Sequence, residues 1–176
     1  MNASRIRIRP LAAEELHLLT AAPWSSGLPG KHNDRLVRQT AGKVTYLIAW
    51  NGADPIGHML VRLTGPNEEP MRSALTDCAE IEDFTVIAKL RSRGIGRLML
   101  ESAEDAARQR GLRRIGVGVT LDNPRAKALY ERQGFRSSGL GTYITRWQYA
   151  DADGEKRWRE EPCSYLVKEL GEAANV

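Results

Sequence analysis

Two stretches of this chain carry residue types and spacings that could do chemistry. The first is "RSRGIG", residues 91–96, where Arg91, Ser92, Arg93 and Arg97 surround Gly94 and Gly96 just as a helical pattern begins at Ile95. A helix N-terminus has unpaired N–H groups and a partial positive charge. Glycine leaves that backbone bare, so it can wrap an anion, and a diphosphate would fit. The stretch is otherwise just a basic turn. It lacks the Gly-Lys-Ser/Thr of a nucleotide-triphosphate loop and the three glycines of a dinucleotide fingerprint. The second stretch is "NPRAKALYERQGF", residues 123–135, with Asn123 and Tyr130 seven apart, two helical turns along one face. Before both lies a strand pattern with Glu80 and Glu82 on one face and Asp83 on the other. The glutamates read as a solvated strand face unless a partner site gives them work, and Asp83 reads as structural or solvated.

The elements that must position these residues follow from periodicity. Strand patterns fall at residues 4–9, 43–50, 56–63, 78–86, 112–120, 135–147 and 163–170, and helical patterns at 11–21, 34–40, 95–110 and 124–133. Asn51-Gly52 signals a hairpin. Met99, Ala103, Ala106 and Arg110 recur at helical spacing, Gly111 stops that helix, and Asn123 with Pro124 starts the next. Residues 21–34 read as a Pro/Gly/Ser-rich loop and 148–162 as a charged hairpin tip. The expected fold is one mixed α/β domain over residues 1–176. Its central sheet is mostly antiparallel, about seven strands flanked by about four helices. The strands at 78–86 and 112–120 are parallel neighbours joined by a right-handed crossover.

Composition narrows the function classes. The chain is 41% apolar and 27% charged, with a net charge of +4, which argues against disorder and against a dense nucleic-acid stripe. Cys78 and Cys163 stand far apart with no Cys/His cluster, so no metal site is expected and both read as buried thiols. Met1 to Arg5 leads into no apolar run, and no run approaches a membrane span, so the default expectation is a cytoplasmic protein. His17, His32 and His58 have no triad partner in the sequence and read as surface or core.

Together, the Arg-x-x-Gly-x-Gly turn, the strand before it and the Asn…Tyr helix resemble the GNAT superfamily of acetyl-CoA-dependent N-acetyltransferases, over residues 79–135. The resemblance implies the GNAT fold and acetyl-CoA as co-substrate. Arg91, Ser92, Arg93, Gly94, Ile95, Gly96 and Arg97 would hold the coenzyme diphosphate, largely by backbone N–H groups. Phe84, Thr85 and Val86 would hold the pantetheine arm and acetyl carbonyl in a gap between the parallel strands. Asn123 would touch the same arm. Tyr130 would protonate the leaving thiolate, or else only pack, and Glu80 or Glu82 would relieve the amine of its proton. The acceptor would be a small-molecule or peptide amine. Trp24, Trp147, Tyr149 and Trp158 would wall it, unless they serve the core or a homodimer contact. The alternative reading is a non-catalytic module that binds acyl-CoA as a sensor or structural part.

Overall fold

The computed structural model describes residues 6–25, 28, 30–151 and 153–171. The expectations for Met1 to Arg5 lie outside them. The chain runs β1 (Ile6–Pro10), α1 (Leu16–Thr20), α2 (Lys31–Thr40), β2 (Val44–Asn51), β3 (Asp54–Arg62), α3 (Met71–Ala74), β4 (Cys78–Val86), α4 (Ile95–Gln109), β5 (Arg114–Thr120), α5 (Pro124–Arg132), β6 (Arg136–Ala150) and β7 (Lys156–Glu169). All seven strands form one sheet in the order β1-β2-β3-β4-β5-β7-β6. Only β4 and β5 are parallel, as expected of strands joined through a helix.

Each face of the sheet buries a different set of side chains. α4 presents Ile95, Met99, Leu100, Ala103 and Ala107 to Leu47, Met59, Val61, Ile81 and Val117. The buried stripe therefore runs through Ala107, and Arg110 lies exposed at the helix end, outside the spacing expected from sequence. α5 packs on the same face, where Tyr130 meets Phe135. Glu104 of α4 is buried and held by Lys168 of β7 at 2.5 Å and Arg108 at 3.3 Å. On the opposite face, α1 and α2 cover Tyr46, Ile48, Trp50 and Leu60, and α3 brings Met71 over Cys78 and Tyr165.

Four local features depart from the sequence pattern. The β2–β3 turn centres on Gly52 and Ala53, because Asn51 pairs with Asp54 and only Gly52 is left-handed (φ 65°). α3 is a single turn, too short for periodicity to register. β6 and β7 keep pairing out to Ala150 and Lys156, so most of the expected tip is strand, and Cys163 lies within β7 rather than at its start. Finally, β4 bulges. Leu60 pairs with Glu82 and His58 with Thr85, so Asp83 and Phe84 together oppose Met59. Asp83 takes φ 43° to make the extra step.

Candidate active site

β4 and β5 pair only from Cys78 to Ile81 against Arg114 to Val117. Beyond that point they part, and residues beside the gap line a cavity on each face. On the α4/α5 face a cavity of 510 Å³ is bounded by Phe84, Thr85 and Val86, by Arg91, Ser92, Gly94, Gly96 and Arg97 of the turn, and by Asn123, Leu129 and Tyr130 of α5. These are the residues expected to hold the coenzyme, with two exceptions. The Ile95 side chain goes into the core, leaving only its backbone at the helix start. Arg93 turns to a neighbouring cavity under α1.

The geometry of the turn suits an anion. Gly94 caps α4 with φ 83°, a conformation L-residues avoid. The first intrahelical bond runs from the Leu98 N–H to the Gly94 carbonyl, which leaves the N–H groups of Ile95, Gly96 and Arg97 without a helical acceptor. A Cβ on Gly96 would contact Leu129 at 3.4 Å and Phe84 at 3.5 Å, so its absence opens the cavity floor. Arg125, absent from the sequence expectations, also lines this cavity and donates to Ser92 Oγ at 3.2 Å. Arg97 pairs instead with Glu101 at 2.5 Å on the helix surface.

The end of β4 offers a backbone donor to the gap. The Ile87 N–H donates to the Ile56 carbonyl, so the next pair, Val86 with Gly57, falls at a non-hydrogen-bonded position of the ladder. Val86 therefore turns its N–H and C=O away from β3, toward the gap. Arg91 Nε already donates to that carbonyl at 2.9 Å, leaving the N–H. Asn123 accepts from the Ala126 N–H at 3.1 Å, capping α5 while lining the cavity. Tyr130 is buried between Phe84 and Phe135, and burial pushes its phenol well above the usual range.

On the opposite face a cleft of 1030 Å³ lies between α2, β4, β5 and β6, and Glu80, Glu82 and Asp83 all line it. Asp83 was expected on the other face. The bulge adds one residue and returns it to this side, where it pairs with Arg35 and, at 3.8 Å, with Lys31. The two glutamates differ sharply. Glu82 is held by Arg62 at 2.5 Å and Arg38 at 3.7 Å. Glu80 is only 6% exposed, and burial pushes its carboxyl up to about 7, against the pull of the Asn67 N–H at 2.8 Å and of Arg62. Asn67 lies in the β3–α3 connection, a contact no spacing in the chain announces.

The remaining expectations divide. Trp147 and Tyr149 line the cleft, their rings 5.7 Å apart. Trp24 does not: it stacks on His58 at 5.7 Å and donates to the Pro55 carbonyl. Trp158 is exposed under Arg146. His32 and His58 are buried together beside Tyr46, and His17 is on the surface. Burial raises the thiols of Cys78 and Cys163 to about 12 and about 11, so neither is a ready nucleophile. Among the described residues no helix is long and apolar enough to cross a membrane, and no group of three or more His, Cys, Asp or Glu side chains could hold a metal.

The model of the Acetyltransferase (GNAT) family matches residues 11–135, which span the parallel pair, the turn before α4 and α5. The chain belongs to that family. It is 35% identical over 92 residues to streptothricin acetyltransferase of Streptomyces lavendulae, covering 52% of this chain and 48% of that protein. It is 36% identical over 72 residues to the chloroplastic GCN5-related N-acetyltransferase 4 of Arabidopsis thaliana, covering 41% of this chain and 25% of that one. The chain thus spans less than half the length of either relative. Among solved structures, a ribosomal-protein-alanine N-acetyltransferase from Brucella melitensis superposes with a TM-score of 0.64 at 23% identity, over 93% of this chain and 99% of that one. yncA of Salmonella typhimurium, solved with its cofactor acetyl-CoA, gives 0.62 at 19% identity, over 97% of each chain.

Proposed function

We propose that the chain transfers the acetyl group of acetyl-CoA to a primary amine by direct attack in a ternary complex. The observation that carries this reading is the parting of β4 and β5, with the glycine-lined cavity on one face of the sheet beside it and the carboxylate cleft on the other. The diphosphate of the coenzyme rests on the N–H groups of Ile95, Gly96 and Arg97, and its pantetheine arm enters the gap beside Asn123 and Val86.

The amine approaches from the cleft. A lysine-like amine holds its proton at pH 7 and costs about 4–5 kcal/mol to free, whereas an α-amino group costs about 1 kcal/mol. Glu80, with its carboxyl near neutrality, is suited to take that proton directly or through water. Glu82 is committed to its arginines and serves as a fixed charge. As the nitrogen bonds to the carbonyl carbon, the Val86 N–H donates to the oxyanion. The C–S bond then breaks, and Tyr130, protonated until that point, gives its proton to the leaving sulfur and is reprotonated by the proton that the acylated nitrogen sheds. The acceptor is a small-molecule amine or a peptide amine. The similar proteins include a streptothricin acetyltransferase and ribosomal-protein-alanine N-acetyltransferases.

The test is an amine-panel assay that detects released thiol, beside the thermal shift produced by acetyl-CoA. Turnover with at least one amine and stabilisation by acetyl-CoA are expected. Stabilisation with no thiol release from any amine would overturn the catalytic reading in favour of a binding module.

A further inference from the structure

β5 carries glycine at alternate positions, Gly116 and Gly118, on the face turned to the acceptor cleft. Glycine inside a strand weakens it and marks a place where something lies close against the backbone. Here two tyrosines do so. A Cβ on Gly116 would fall 2.5 Å from the Tyr165 hydroxyl oxygen. One on Gly118 would collide with the Tyr143 hydroxyl, the ring carbon behind it being 3.4 Å away. The two rings meet edge to face at 6.3 Å and 61°.

The tyrosines have different surroundings. Tyr165 is 1% exposed, and its hydroxyl is sealed in beside Cys78, whose thiol is committed to the Ala79 carbonyl. Tyr143 is half-buried and lines the cleft, and none of the described residues hydrogen-bonds its hydroxyl. Gly118 is the first residue of β5 beyond Val117, the last residue paired with β4. The Tyr143 hydroxyl therefore stands at the mouth of the gap, on the acceptor face. Glu80 shares that face, paired with Gly116 one step inside the mouth.

We propose that Tyr143 is a further substrate-contacting residue, orienting the attacking amine opposite Glu80, and that position 118 is glycine to seat it. The inference rests on the acetyl-transfer reading. The phenol accepts an N–H of the amine and leaves the nitrogen lone pair directed at the gap. Tyr165 does not reach the amine; it braces the Tyr143 ring.

The experiment uses the full chain, acetyl-CoA and a panel of lysinamide, spermidine, phenethylamine and an alanine-initiated peptide, read by released thiol. For an amine that turns over, Tyr143→Phe lowers kcat/KM about tenfold or more, with a rise in amine KM and an unchanged acetyl-CoA thermal shift. Gly118→Ala gives a similar loss in the wild-type background. It adds almost nothing to Tyr143→Phe, because the new methyl group meets a hydroxyl that is no longer there. An unchanged kcat/KM in Tyr143→Phe overturns the proposal, as do losses that multiply in the double variant. A reduced acetyl-CoA shift in Tyr143→Phe also overturns it, by revealing a structural role. If the wild-type chain releases no thiol with any panel amine, the acetyl-transfer reading itself falls, a result distinct from failure confined to the variants.

Discussion

The two cavities on either side of the β4–β5 gap are built from different materials. The side proposed for the coenzyme is backbone: a left-handed glycine, three N–H groups without a helical acceptor, a strand amide and a cap, all within residues 84–130. The side proposed for the acceptor is side chains brought from distant segments: Lys31 and Arg35 from α2, Arg62 from β3, Asn67 from a loop, and Tyr143, Trp147 and Tyr149 from β6. A ligand common to a whole family can be held by groups every residue possesses. A ligand that differs from member to member must be read by groups that can be exchanged.

The strongest way to break this comparison is on the coenzyme side. Gly96→Glu places a carboxylate between Leu129 and Phe84, at the start of α4, and should abolish the acetyl-CoA thermal shift and cut kcat/KM roughly a hundredfold or more. A variant that is still fully stabilised would show that the cradle lies elsewhere.

The acceptor side should break differently. Glu80→Gln is expected to lower kcat about 10²- to 10³-fold while leaving acetyl-CoA binding intact, and to erase an acidic limb in the pH–rate profile near pH 7. It also has a stability signature. The folded carboxyl titrates near 7 against an ordinary value of 4.5, so the native state binds that proton more tightly than the unfolded chain. The resulting stabilisation is complete below pH 4.5 and is lost as pH rises through 7. Above that pH the buried charge costs roughly 3 kcal/mol at most. Glu80→Gln should therefore melt higher than wild type at pH 8 and close to it at pH 4. Equal melting temperatures at pH 8 would mean that the carboxyl is better solvated than its burial indicates.

Tyr130→Phe touches both cavities' shared chemistry without changing their walls. A kcat decrease of about 10- to 100-fold, with acetyl-CoA affinity held, is expected. Unchanged turnover would reduce Tyr130 to packing. The smallest effect sharpens the contrast. Arg97 spends its guanidinium on Glu101 at the surface, so Arg97→Ala should weaken acetyl-CoA by less than about fivefold. A larger loss would make the cradle one of charge rather than of backbone.

The same difference in materials explains what the chain could tell in advance. The order of elements, the parallel pair and the bare backbone at the head of α4 were readable because their signals are local: Gly94, Gly96, Asn123 and Tyr130 sit at fixed spacings along 37 consecutive residues. Asp83 was misplaced because a strict two-residue period cannot register a bulge. Asn67 and Arg62 went unnoticed because they meet Glu80 only through sheet register and a long connection. The Gly116 and Gly118 alternation was present in the sequence, but its meaning required the tyrosines of two other strands.

The β6–β7 ribbon pairs past the end of β5, where the Leu121 N–H still donates to the Pro162 carbonyl, from Thr145 with Glu161 out to Ala150 with Lys156. Trp147 and Tyr149 stand on that overhang, beyond the region where sheet, α4 and α5 depend on one another. On the proposed reading, selectivity for the acceptor is thus cantilevered from the catalytic body. Lineages can rewrite the overhang, in length or in sequence, as an exchangeable part, without renegotiating the core or the coenzyme.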